Sequence, residues 1–290
     1  MKKDLLSLRD LTKKDIEKIF KVTRKLKGKK TKDLFEKTLA LYFEKLSTRT
    51  IVSFQVAMIQ LGGDAICLTP REMQISRGET ISDTAKVLSR YVDGIFARTY
   101  KHETLADLAK YASIPVLNGL TDRFHPCQVL ADLFTVLEKR KTLKLKYAWV
   151  GDGNNVCNSW IQASSILGFN LSVATPKAYE PLREVLKKSK VKLTHNPKEA
   201  VKDADIIITD TWVSMGQPNH SKKDKAFKPF QVNPKLIKLA KPNYLFMHCL
   251  PAQRGKEVTS GIIDGKHSIV FDESENRLHV QKAILYLLLK

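Results

Sequence analysis

The stretch LYFEKLSTRTIVSFQVA, Leu41 to Ala57, sets an apolar run before a polar knot, Ser47-Thr48-Arg49-Thr50, and then a longer apolar segment with helical spacing. A strand that passes through a polar loop into a helix is the repeating unit of a parallel sheet with crossover helices. The alternation continues down the chain. After an amphipathic helix near 11–26, LALYF precedes a helix at 50–61, DAICL one at 80–90 and DGIFA one at 103–111, with IPVLN following. A helix from Pro126 to Arg140 and the basic run KRKTLKLK lead to a second series. It holds YAWV, a helix at 154–167, LSVAT, a helix at 179–189, VKLT, DIIITD, YLFMHCL and SIVFD. Because the pattern restarts at about residue 143, the expected class is α/β with two domains joined through a helix, each a mainly parallel sheet flanked by helices. The last helix, 275–289, is apolar enough to pack on either domain.

At 290 residues and 43% apolar content, the chain can bury one large core or two modest ones. No apolar run approaches the roughly 18 to 20 residues of a membrane span, and MKKDLLSLRD carries charges where a signal peptide has its apolar stretch. The expected address is the cytoplasm, without a membrane partner. Cys67, Cys127, Cys157 and Cys249 are widely spaced, with no CxxC pair, which fits a reducing compartment. The formal charge of +20 peaks in KVTRKLKGKKTK, 21–32, yet lysines recur along the whole chain without interleaved aromatic residues that would stack on bases. A solvated basic surface that draws small anionic substrates is therefore preferred to nucleic-acid binding.

In open α/β sheets ligands bind beyond the carboxyl ends of the strands, so the polar loops there carry the functional reading. Six of them point to one cleft between two domains. Ser47 stands where it would cap the following helix, whose first-turn N–H groups, with Thr48, Thr50 and the forked guanidinium of Arg49, make a donor-only lining suited to phosphate. An ordinary cap with a solvated Arg49 is the alternative. The GxxxxGK[ST] pattern is missing, so a Walker nucleotide site is not expected. Arg98 arrives at a neighbouring strand end as a second cation, or as a surface ion pair. His125 and Gln128, one turn apart on the next helix, suit the carbonyl oxygen and amide nitrogen of one small ligand. WVGDGNNVCNSW, 149–160, looks like a dinucleotide turn, but Val156 stands at the third glycine and LSVATP brings no acidic residue for a ribose. Asn154 and Asn155 read instead as ligand-facing amides or turn residues, and Asp210 as a partner for an ammonium or as a helix cap. His125, Cys127, His248 and Cys249 form a nominal zinc set, disfavoured because adjacent strand residues point to opposite faces. Arg277 is expected to open the last helix, after a strand ending near Phe271.

STRT, FARTY, HPCQ, GDGNN, DTWVSMGQ, HCLP and FDESENR in this order resemble the aspartate/ornithine transcarbamoylase family, over about residues 5–289. The SMG loop with HCLP is similar to the branch that acts on ornithine. The resemblance implies transfer of the carbamoyl group of carbamoyl phosphate to the δ-amine of L-ornithine, giving L-citrulline and phosphate, with no metal or organic cofactor. It implies that Ser47, Thr48, Arg49 and Thr50 bind phosphate with Arg98. His125 and Gln128 would hold the carbamoyl group, and Cys249, the Leu250 carbonyl and Arg277 would line the reacting centre. Arg98, His125, Cys249 and Arg277 are the residues expected to carry the chemistry. Asn155, Asp210, Ser214 and Met215 would receive ornithine. It also implies homotrimers or multiples of them, with Gln74 of REMQISRGET, 71–80, reaching a neighbour's phosphate. The expected division is 1–140 with the C-terminal helix 272–290 for carbamoyl phosphate, and 141–271 for ornithine. Putrescine or an acylated ornithine is the alternative acceptor. One residue departs from the family: Ile51 stands where a second arginine usually follows STRT, which bears on phosphate affinity or an interface contact.

Overall fold

The computed structural model describes residues 3–213 and 220–290, so Ser214 and Met215, and the SMG loop that they belong to, lie outside the described residues. The chain divides into two compact units, 1–134 with 275–290, and 135–274, the divisions falling inside two helices.

Unit 1 contains α1 (Lys13–Leu26), β1 (Thr38–Phe43), α2 (Thr48–Leu61), β2 (Asp64–Leu68), α3 (Ile81–Tyr91), β3 (Gly94–Arg98), α4 (His102–Tyr111), β4 (Val116–Leu120) and the first part of α5 (Pro126–Arg140). Its sheet is parallel, in the order β2-β1-β3-β4. Strands β1 and β3 are buried nearly end to end, which is why TLALYF and GIFAR read as continuous apolar runs. Phe96 of β3 packs on Phe54 of α2, ring centroids 4.2 Å apart, and on Phe43 at 5.4 Å, tying sheet to helix. A capping box of Thr12 and Asp15 starts α1.

Unit 2 holds β5 (Lys146–Val150), α6 (Asn155–Leu167), β6 (Asn170–Ala174), α7 (Arg183–Leu186), β7 (Lys192–Thr194), α8 (Pro197–Val201), β8 (Ile206–Thr209), α9 (His220–Phe227), α10 (Pro234–Ile237), β9 (Leu245–His248) and α11 (Ser260–Ile263). Its sheet is also parallel, in the order β7-β6-β5-β8-β9. The fold is thus two parallel α/β sheets flanked by helices. The final helix, α12 (Val270–Leu289), places its residues from Glu275 onward in unit 1. There the buried Lys282 ammonium is met by the Gln60 side chain at 2.9 Å and the Lys29 carbonyl, and Lys27 donates to Asn276 at 2.8 Å.

Three expectations change. SIVFD is not a strand: Ser268 makes only an isolated bridge to Phe246, and Val270 already starts α12, because two apolar residues against one edge cannot extend a ladder when helix propagation competes. Arg277 consequently lies two turns inside α12 instead of opening it. The segment 179–189 is helical only over Arg183–Leu186, Pro181 ending any helix from upstream.

In both sheets the order reverses direction once. From β1 the chain winds outward to β2 and then returns to the other side at β3; from β5 it winds to β6 and β7 and returns at β8. Loops leaving the two strands at such a reversal diverge to opposite faces and open a crevice. Among the described residues, no helix is long and apolar enough to cross a membrane.

Candidate active site

At the β1/β3 reversal of unit 1, the loop after β1 carries Ser47–Thr50 into α2, while Phe43 and Arg98 are register partners, so Arg98 emerges beside it. The β3–β4 register shifts between Ala97 and Arg98, an irregularity that re-aims a side chain at the sheet's end. Ser47 occupies the N-cap position but makes no cap bond; its hydroxyl donates instead to Thr50 Oγ1 at 3.0 Å. The first-turn amides, which have no acceptor inside a helix, are thereby not consumed by Ser47. Thr50 Oγ1 also receives Arg277 Nη2 at 2.6 Å and Arg98 Nη1 at 3.4 Å. Three donors converge on this one oxygen, which concentrates hydrogen-bond donors and positive charge where an anion would be favoured.

His125 is 4% exposed beside this cluster. Burial, then the guanidiniums of Arg277, Arg98 and Arg49, hold its imidazole well below the usual 6.5, so it is neutral at neutral pH. It can therefore donate a hydrogen bond without adding a fourth cation. Gln128, fully buried one turn later, donates Nε2 to Asp132 Oδ1 at 2.8 Å, which turns its carbonyl end away from Asp132 as an acceptor. Gln74 is exposed, at the start of a 3-10 turn over Gln74–Arg77.

Unit 2 builds a cluster of opposite character at its own reversal. The adjacent strands β5, β8 and β9 deliver Asn154, Asp210 and Cys249 from their carboxyl ends, Thr209 and His248 being register partners. Asp210 Oδ2 accepts from Asn154 Nδ2 at 2.7 Å; Oδ1 accepts from Cys249 Sγ at 3.2 Å and from the Thr211 amide at 2.8 Å. Asn154 also caps α6, its oxygen receiving the Val156 and Cys157 amides. The two asparagines are thus separated: Asn154 is spent on structure, and Asn155 stands half-exposed in the first helical turn. Gly153 is required for close approach, since a Cβ there would lie 2.3 Å from Pro181 N. That accounts for the turn's second glycine without a dinucleotide.

His248 orients the turn that follows β9. Its Nδ1 accepts the Leu250 amide at 2.9 Å and its Nε2 faces Glu257 Oε1 at 3.2 Å, both side chains fully buried. This contact holds Leu250 at φ 57°, a left-handed conformation that costs a non-glycine residue about 1–2 kcal/mol. Asp210, His248 and Cys249 have potential metal-binding atoms within 4.8 Å of one another. Both His248 nitrogens are already engaged, however, so the set is a poor fit for a cation. Cys127 fits the zinc set no better: burial pushes its thiol up to about 12, away from the thiolate a metal needs, and Sγ donates to the Asn118 carbonyl at 3.4 Å.

The structure brings Ser47, Thr50, Arg98, His125 and Arg277 together in unit 1, and Asp210 and Cys249 in unit 2. Sequence reading passed over Asp132, Asp152, Lys223 and Glu257. Only Asp132 had a legible signal, its i+4 spacing from Gln128 on a helix.

Residues 3–138 match the description "Aspartate/ornithine carbamoyltransferase, carbamoyl-P binding domain", and residues 143–288 match the Asp/Orn binding domain of the same family. An ornithine carbamoyltransferase of Pyrococcus horikoshii is 53% identical over an alignment of 304 positions, covering 99% of this chain and 96% of that protein. The solved ornithine carbamoyltransferase of Pyrococcus furiosus superposes with a TM-score of 0.95 at 52% identity, over 99% of this chain and 96% of that one. That of Thermus thermophilus gives 0.94 at 44% identity, over the whole of both. With both halves matched and full-length relatives far above 30% identity, the chain belongs to the aspartate/ornithine carbamoyltransferase family.

Proposed function

We propose that the protein is an ornithine carbamoyltransferase, making L-citrulline and phosphate from carbamoyl phosphate and L-ornithine, in the direction of arginine biosynthesis. The observation that carries the reading is the full-length likeness to relatives bearing that name, one of them, from Pyrococcus furiosus, described as anabolic. The geometry supplies the mechanism.

Residues 1–140 with 272–290 would bind carbamoyl phosphate, and 141–271 ornithine. Phosphate is received by the first turn of α2 with Ser47, Thr48, Arg49 and Thr50, aided by Arg98. Neutral His125 donates to the carbamoyl oxygen, and the Gln128 oxygen, oriented by Asp132, accepts from the carbamoyl amide. Asp210 faces the α-ammonium of ornithine with Asn155, Ser214 and Met215, while Cys249 and the Leu250 carbonyl line the reacting centre. The δ-amine attacks as the free base, and the oxyanion and departing phosphate gain stabilisation from Arg98, Arg277 and the Thr50 hydroxyl. Cationic surroundings also oppose the protonated amine, which favours loss of its proton before attack.

Homotrimers, or multiples of them, would let Gln74 reach a neighbour's phosphate. Support comes from apolar side chains left exposed on α2 and the edge strand β2: Val52 at 51%, Ile59 at 65% and Ile66 at 50%. Half-buried Ile51 extends that strip, at the position where the family resemblance implies an arginine. A cytoplasmic location fits the widely spaced free cysteines. The test is citrulline formation across a panel of ornithine, putrescine and acylated ornithine; turnover of ornithine alone supports the reading, and none with ornithine at saturation refutes it.

A further inference from the structure

One buried ion pair lies beside the ornithine cluster but has no part in the chemistry above. Lys223 Nζ meets Asp152 Oδ2 at 2.7 Å, with side chains 11% and 10% exposed. Lys223 belongs to α9, and its ammonium also lies 5.4 Å from the ring centre of Tyr179 and 5.5 Å from that of Phe227. Those rings pack on each other at 4.9 Å, and Trp212, two residues after Asp210, packs on Phe227 at 5.8 Å. Asp152 sits in the turn between β5 and α6, which is pinned from two more sides: Trp149 Nε1 donates to the Asp152 carbonyl at 2.9 Å, and the Gly153 amide donates to the Tyr179 carbonyl at 2.9 Å. Two residues further along, Asn154 holds Asp210.

A buried lysine–carboxylate ion pair is an expensive way to fasten a loop, because each ion loses its hydration. An apolar pair would do as well if fastening were the whole purpose. What the ion pair adds is charge. Asp152 and Asp210 repel one another, and burial together with Asp210 raises the Asp152 carboxyl to about 6 even against the pull of Lys223. Without that ammonium, a second buried carboxylate would compete with Asp210 for protons and for the substrate's positive charge.

We infer that the Asp152–Lys223 pair is a positioning element for the amino-acid substrate: beside the rings of Tyr179 and Phe227, it clamps the Gly151–Asn154 turn and keeps Asp152 from offering the substrate ammonium a second carboxylate next to Asp210. The inference rests on the ornithine reading given above. It is tested by steady-state kinetics of the full-length enzyme carrying Lys223→Met, Asp152→Asn and Lys223→Arg. Lys223→Met and Asp152→Asn are expected to raise the ornithine KM on the order of ten-fold while the carbamoyl phosphate KM stays within about two-fold, and Lys223→Arg to recover most of the loss. A fold-holding role alone would lower thermal stability and leave both KM values within two-fold, and would overturn the inference. So would a parallel rise in both.

A second measurement separates this outcome from failure of the ornithine reading. Cys249 lies on Asp210, and in a Cys67→Ser background it is the remaining accessible thiol, Cys127 and Cys157 being buried. Its alkylation rate by iodoacetamide is expected to change at least about three-fold in Lys223→Met and to return in Lys223→Arg. An unchanged rate overturns the inference whether or not citrulline is made. A wild type that forms no citrulline, with a changed rate, sinks only the substrate assignment and leaves the positioning role standing.

Discussion

At the β1/β3 reversal a neutral imidazole is surrounded by Arg49, Arg98 and, from within α12, Arg277, whereas at the β5/β8 reversal the Asp210 carboxylate is held between an amide and a thiol. Both sets stand at the same topological position of two parallel sheets, yet their charge is opposite. The sheet's winding decides where a ligand can be held, and a handful of loop residues decide what ligand it is. One unit gathers guanidiniums, the other presents a carboxylate.

Breaking the cationic side has the largest expected effect. Arg98→Ala removes a donor to Thr50 and a charge from the oxyanion's surroundings, and should lower kcat/KM for citrulline formation by about 10²–10³-fold with the circular dichroism spectrum unchanged. On the anionic side, Asp210→Asn should raise the ornithine KM by roughly 10²-fold while carbamoyl phosphate binding without ornithine, read by calorimetry, is unchanged. Loss of both bindings would erase the division of labour. Asp132→Leu frees the Gln128 amide to rotate, and should cost about ten-fold in kcat/KM through carbamoyl phosphate alone.

The smallest effect sharpens the contrast through pH. His125 is held below 6.5 in the folded chain, so the unfolded chain binds more protons as pH falls under 6.5, and stability drops by up to about 1.4 kcal/mol per pH unit until the folded value is reached. Asp152, raised to about 6, acts in the opposite sense below that pH, and His102 and His279, also lowered, act in the same sense as His125. The informative quantity is therefore the difference between wild type and His125→Gln in urea-unfolding free energy at pH 7.5 and 5.5. The wild type should lose more.

Strand and helix alternation was legible because parallel strands covered on both faces, such as TLALYF, read as plain apolar runs. SIVFD holds a shorter apolar run, Ile269–Phe271, and became the start of α12, since its first residues find only one strand edge. Loops at strand ends could be named, but not the reversals that make two of them special, because strand order is a tertiary property. For Ser47 the position was readable and the bond was not: only the folded cluster shows its hydroxyl turned to Thr50. Asn154 and Asn155 are equivalent as letters, and the neighbouring strand's Asp210 is what distinguishes them. Lys223 was hidden among fifty lysines and arginines, its partner 71 residues away.

If the proposed function holds, the cationic cluster of one unit and the carboxylate cluster of the other serve a single transfer. The most direct measurement supplies the purified protein with carbamoyl phosphate and L-ornithine at saturation and follows citrulline and phosphate together. Equimolar release of the two, dependent on both substrates, is the expected result; phosphate release without citrulline, or no product at all, would refute a shared transfer.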